Sequence, residues 1–151
     1  MNAVREASTK GEQAASAPSA DQFRHWIEDH VRFADLDPLG HCNNAAISGF
    51  FESARVALLA AAGHPIGTDG VTFSIVHQSV DYYRELRLDA RLRIGTRVAK
   101  LGRTSVTLAN AVFEGESCAA SATIIGVTIS LATRRPVELP SRLRAGLAAY
   151  A

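Results

Sequence analysis

Residues 21–151 predict an α+β domain: an antiparallel five-stranded sheet carrying one long helix. Three observations point there. A single long apolar helix pattern covers 45–62. Four strand-like stretches follow it with short gaps, which favours antiparallel pairing because parallel neighbours need long crossovers. One alternating stretch precedes the helix.

The elements follow in chain order. Residues 1–20, MNAVREASTKGEQAASAPSA, hold Ala, Ser and charge with no apolar run. They are expected to be a disordered leader rather than a secretory signal. Over 26–34, Trp26, Val31 and Phe33 alternate loosely with Glu28, His30 and Arg32, as a first strand does. A polar loop follows. From 45, the apolar positions Ala46, Ile47, Phe50, Phe51, Ala54, Ala57, Leu58 and Ala61 recur at helical spacing. A helix this apolar is expected to be covered on several sides. Gly63 sits where a C-terminal glycine cap belongs, and Pro65 stops the helix from continuing.

After Gly67 to Gly70 come strands at about 71–84, 90–101, 104–114 and 117–132, dominated by Val, Ile, Thr, Tyr and Phe. Gly102 and Gly115 fall at turns. Four consecutive strands read as a meander. Residues 141–150 predict a short terminal helix. One helix covers one face of such a sheet, and its edge strands need protection.

Length and composition narrow the function. At 151 residues one domain is expected, and 47% hydrophobic with 21% charged residues is globular material. A net charge of +1 makes no electrostatic case for nucleic acid or a membrane surface. Cys42 and Cys118 make neither a disulfide framework nor a metal site, and they fit a reduced cytoplasmic setting. The apolar runs are far shorter than a membrane span.

The chemistry gathers in Phe33-Ala34-Asp35-Leu36-Asp37-Pro38-Leu39-Gly40-His41-Cys42-Asn43-Asn44-Ala45. A carboxylate is followed by a Pro-Leu-Gly turn and then by two Asn residues able to open a helix. A helix start offers free N–H donors and partial positive charge. Together these are equipment for attacking an acyl group.

This block, followed by Phe50-Phe51-Glu52-Ser53-Ala54-Arg55, resembles the 4-hydroxybenzoyl-CoA thioesterase family of hotdog-fold proteins. That family carries a D-x-D-x-x-G-H/I segment, an Asn-rich helix start and a Y/F-x-E-x-A-R helix. The stretches Val80-Asp81-Tyr82-Tyr83-Arg84, Leu101-Gly102-Arg103-Thr104-Ser105 and 134–140 (Arg-Arg-Pro-Val-Glu-Leu-Pro) are similar to it in the same order, so the resemblance covers about 26–140. It implies a hotdog fold, a sheet wrapped around a central helix, in a homodimer or a dimer of dimers. It implies an acyl-CoA thioesterase that uses no metal or redox cofactor, with coenzyme A entering as part of the substrate.

The resemblance makes Asp37 the catalytic carboxylate, as nucleophile or as general base on water. From the residues alone, Asp37 reads first as a turn former before Pro38, and only the resemblance reverses that order. Asp35 is expected to shape the loop. The resemblance places the oxyanion donor at the backbone N–H of Asn44, beside the capping residue Asn43. His41 is expected to give support or substrate contact, and Cys42 lacks the third group that a Cys–His pair needs. Glu52 pairs with Arg55 at i+3. The resemblance places CoA contacts at Arg103, Thr104 and Ser105, where composition alone gives a solvated turn. Arg84 and Arg87 are further candidates, and His77 and Gln78 are expected either near a pocket across the dimer or, equally, at satisfied strand positions. Two other readings stand beside the thioesterase: a hydratase or dehydratase with a His41/Asp37 pair, and a non-catalytic acyl-CoA-binding protein.

Overall fold

Asn43 opens the long helix because its side chain accepts the Ala45 N–H at 2.9 Å, meeting one of the donors that a helix start leaves unpaired. A computed structural model describes residues 16–151. Its elements are β1 (His25–His30), α1 (Asn44–Ala61), β2 (Val71–Tyr82), β3 (Arg91–Leu101), β4 (Ser105–Glu114), β5 (Ser117–Ser130) and α2 (Ser141–Ala148). Gly63 ends α1 with φ +76. Most of the expected leader, residues 1–15, lies outside the described residues. Its last residue, Ala20, opens a 3₁₀ turn, Ala20–Gln22, that leads into buried Phe23.

The strands form one antiparallel sheet in the order β1-β3-β4-β5-β2. This is the hotdog arrangement that the resemblance implies. The meander holds for β3-β4-β5 but not for β2, which pairs with β5 instead of β3. The link Tyr83–Ala90 is a strap across the sheet end. Its Tyr83 N–H donates to Ala119 O at 2.8 Å, and Leu86 and Ala90 are buried. Buried apolar anchors hold such a segment against the core, where a hairpin would expose them.

α1 packs over β1, β3 and β4 and touches α2. It buries Ile47, Phe50, Phe51, Ala54, Leu58 and Leu59. The same core takes Leu92, Ile94 and Val98 from β3, Val106, Leu108 and Val112 from β4, and Ile124 from β5. Alternation along each strand puts these side chains on the helix face. Thr96 and Asn110 share that face; the buried Asn110 Nδ2 donates to Thr96 Oγ1 at 2.7 Å, while Asn110 Oδ1 is buried without a partner among the described residues.

The outer face holds a smaller cluster in which Phe23, Trp26 and Phe113 meet at ring separations of 5.7–5.9 Å. The Arg93 guanidinium lies 4.4 Å from the Trp26 ring. This cluster leaves only part of the outer face open. β2 is an edge strand, mostly exposed, with an irregularity between Ile75 and His77 that leaves Val76 outside the ladder. The exposed side of α1, including Gly49, Glu52 and Val56, is likewise uncovered in one copy of the chain. Among the described residues, no helix is long and apolar enough to cross a membrane.

Candidate active site

The loop between β1 and α1 is closed by its own backbone. Leu36 and Cys42 pair as an antiparallel bridge. Inside it, Asp37 N–H donates to His41 O at 2.8 Å, and Gly40 N–H donates to Asp37 O at 3.0 Å. Asp37 Oδ1 accepts two more backbone donors, Leu39 N–H at 2.8 Å and His41 N–H at 3.1 Å. One carboxylate oxygen thus builds the turn, while Oδ2 has no partner among the described residues. Asp35 shapes the next turn outward: Oδ2 accepts Arg32 N–H at 2.8 Å, and its carbonyl accepts Asn43 N–H at 2.7 Å.

The same loop delivers the helix start. Asn43 caps α1 through Ala45, so the N–H of Asn44 stays without a protein acceptor. Asn44 and Ala45 are exposed. A half-committed carboxylate and an open backbone donor therefore share one short loop, at the positive end of an 18-residue helix.

Four of the expected site residues stand in other company. His41 points Nε2 at Glu85 Oε2, 3.2 Å away. Arg84 pairs with Glu114 at 2.6 Å, and Arg103 with Glu138 at 2.9 Å. The register sets His77 opposite Ile125, on the sheet face away from α1. Its neighbour Gln78 lies opposite Ile124 on the helix face, and its Nε2 donates to Ser48 Oγ at 3.1 Å.

The turn at Arg103, Thr104 and Ser105 lies at the opposite end of the sheet from Asp37. The Asp37 loop leaves β1 at His30, which pairs with Arg91 at the start of β3, and the turn follows Leu101 at the end of β3. At ~3.3 Å per residue, β3 separates the two by roughly 33 Å. One copy of the chain does not bring them into one site.

Comparison with known proteins places this chain in a family. The model of the thioesterase-like superfamily matches residues 31–147, most of the chain. The chain belongs to the thioesterase-like superfamily. A crystal structure of the PA5185 protein from Pseudomonas aeruginosa PAO1 superposes with a TM-score of 0.83 at 31% identity, covering 89% of this chain and 96% of that one. A thioesterase from Thermus thermophilus, crystallised with coenzyme A and Zn, gives 0.74 at 31% identity over 86% and 96%. The uncharacterized protein YsmA of Bacillus subtilis is 28% identical over 105 residues, 68% of this chain and 71% of its own length.

Several contacts around the Asp37 loop of this thioesterase-like protein leave no local mark in the sequence. Glu85 sits on the strap, which holds the loop a second time through Cys42 N–H to Leu86 O at 2.8 Å. Glu85 also faces Arg87 at 3.5 Å. Ser48 and Gln78 meet across the gap between α1 and β2. Burial pushes the Cys42 thiol up to about 11, with the Asp35 and Asp37 carboxylates adding to it. Cys42 is therefore a protonated, packed side chain rather than a nucleophile. Glu52 is exposed and faces Arg55 at 3.4 Å. Burial lowers the Arg55 guanidinium, and Glu52 pulls it back up. Among the described residues, no three His, Cys, Asp or Glu side chains gather as a metal site.

Proposed function

We propose that this protein hydrolyses an acyl-CoA thioester to a carboxylic acid and free CoA. The observation that carries the reading is Asp37, with Oδ1 held by two backbone donors and Oδ2 free, on the same loop as the open Asn44 N–H. Membership of the thioesterase-like superfamily supports it, as does the likeness to a thioesterase crystallised with coenzyme A.

In the proposed reaction the thioester carbonyl oxygen accepts the Asn44 N–H. A donor of this kind contributes ~3–4 kcal/mol to transition-state stabilisation. Asp37 Oδ2 then works by one of two routes. It adds to the carbonyl carbon and expels the CoA thiolate, leaving an anhydride that water opens. Alternatively, it takes a proton from a water molecule that adds to the same carbon. Both routes end at the acid and the CoA thiol. A thiolate leaves without a strong general acid, so a sparse site suffices. The proposed steps use no metal or redox cofactor.

The turn Arg103–Ser105 enters as a phosphate contact for CoA. Because it lies at the far end of the sheet, the reading calls for a second copy. β2 is a long exposed edge strand. Two copies joined by antiparallel β2 edges set the Asp37 end of one beside the Arg103 end of the other. We propose a homodimer with two such sites.

The hydratase reading needs the His41 imidazole on Asp37, and the contact of His41 Nε2 with Glu85 speaks against it. Incubating the protein with a panel of acyl-CoAs tests the choice. The thioesterase releases free thiol. Hydrated product without thiol points to a hydratase, and binding without turnover points to an acyl-CoA-binding protein.

A further inference from the structure

We propose that Glu138 tunes the affinity of the Arg103 turn for a phosphorylated substrate, by competing with the phosphate for the Arg103 guanidinium. The proposal rests on the reading of that turn as a CoA contact.

The turn is braced on every side. Gly102 N–H donates to Ser105 O at 2.8 Å, and Thr128 N–H donates to Thr104 O at 2.7 Å. Arg144 Nη2 reaches from α2 to Gly102 O at 2.7 Å, a charge-assisted bond. Leu139 N–H donates to Arg103 O at 3.0 Å. The backbone is therefore held, and the Arg103 side chain is the part that can move.

Glu138 directly precedes Leu139. The stretch that braces the turn thus also lays a carboxylate on its cation, with Arg103 Nη1 donating to Glu138 Oε1 at 2.9 Å. An incoming phosphate meets a neutralised pair. It must displace Glu138 or share the guanidinium with a like charge, and either one weakens binding. The side chains of Arg103 and Glu138 are 74% and 67% exposed, so solvent and salt limit the effect to a modest one. A substrate with a highly charged handle overcomes the carboxylate. A pantetheine thioester, with no phosphate, is indifferent to it. Glu138 therefore discriminates among thioesters by the charge of the carrier.

Glu138→Gln keeps the size and an acceptor oxygen but removes the charge. At low salt, KM for an acyl-CoA should fall about threefold with kcat unchanged. KM for the same acyl group on pantetheine should stay the same. The gain should vanish at high salt and in the Arg103→Ala/Glu138→Gln double variant. If Arg103→Ala raises KM for acyl-CoA while Glu138→Gln leaves it unchanged or higher, the competition is overturned and the phosphate contact survives. An equal gain on the pantetheine thioester overturns the competition too. If Arg103→Ala itself leaves KM unchanged, the reading of the turn falls, and the proposal falls with it.

Discussion

Asp37 Oδ1 accepts the backbone N–H of His41 at 3.1 Å, while the His41 imidazole turns away to Glu85 at 3.2 Å. The peptide of His41 thus serves the carboxylate, and its ring serves the strap. His41→Asn keeps the peptide donor. It should cost less than ~10-fold in kcat, well short of the ~100-fold scale of a lost general base. Steady-state kinetics on an acyl-CoA checks this, and a loss equal to that of Asp37→Asn would put the imidazole among the reacting groups.

The packing of α2 on the end of α1 leaves no room for a methyl group at Gly146. A Cβ there would lie 2.0 Å from the carbonyl oxygen of Ala62, a backbone atom that cannot step aside. Gly146→Ala should therefore lose at least ~2 kcal/mol despite the better helix propensity of Ala. For a chain of this size that lowers Tm by roughly 5 °C. An unchanged calorimetric Tm would mean that α2 sits further from α1 than described.

How much of this was legible in the sequence depends on the range of each contact. Helix α1 and the strands stand within a few residues of their expected bounds, because Ile47 to Leu58 repeat at helical spacing and β4 alternates Val106, Leu108 and Val112 with outward residues. The place of β2 was not legible. A short gap after Tyr82 reads as a hairpin, and only the burial of Leu86 shows a strap. The Asp37 loop was legible because its chemistry is local: Asp37 caps Leu39 and His41, and Asn43 caps Ala45. The partners Glu85, Glu114 and Glu138 were not, since each lies thirty or more residues from the side chain it pairs with. Sequence spacing carries no signal for a contact that only tertiary folding makes.

Burial pushes both cysteine thiols, Cys42 and Cys118, up to about 11. In the unfolded chain a thiol ionises near 8.5. Above that pH the unfolded chain releases protons that the folded chain keeps, so stability should fall as pH rises from about 9 to 11. Urea unfolding across that range checks it. The decline should be shallower in Cys42→Ala, even though that variant starts less stable. A slope unaffected by the substitution would place the titration elsewhere.

The proposed homodimer carries two signatures. Light scattering at micromolar concentration should return at least twice the 16.1 kDa of one chain. Specific activity should fall on dilution below the dimer dissociation constant, because Asp37 and Arg103 of one copy lie at opposite ends of the sheet. A 16.1 kDa species with full activity would contradict a site shared between copies.

The most direct test of the account is the turnover of Asp37→Asn. The amide keeps the size of the side chain and an oxygen for Leu39 and His41, but it removes the anion. The variant should fold, dimerise and bind acyl-CoA, with kcat lower by at least ~100-fold. Glu52→Gln, the control on the exposed face of α1, should change kcat little. Near-normal hydrolysis by Asp37→Asn beside an inactive Glu52→Gln would move the chemistry from the loop to the helix carboxylate.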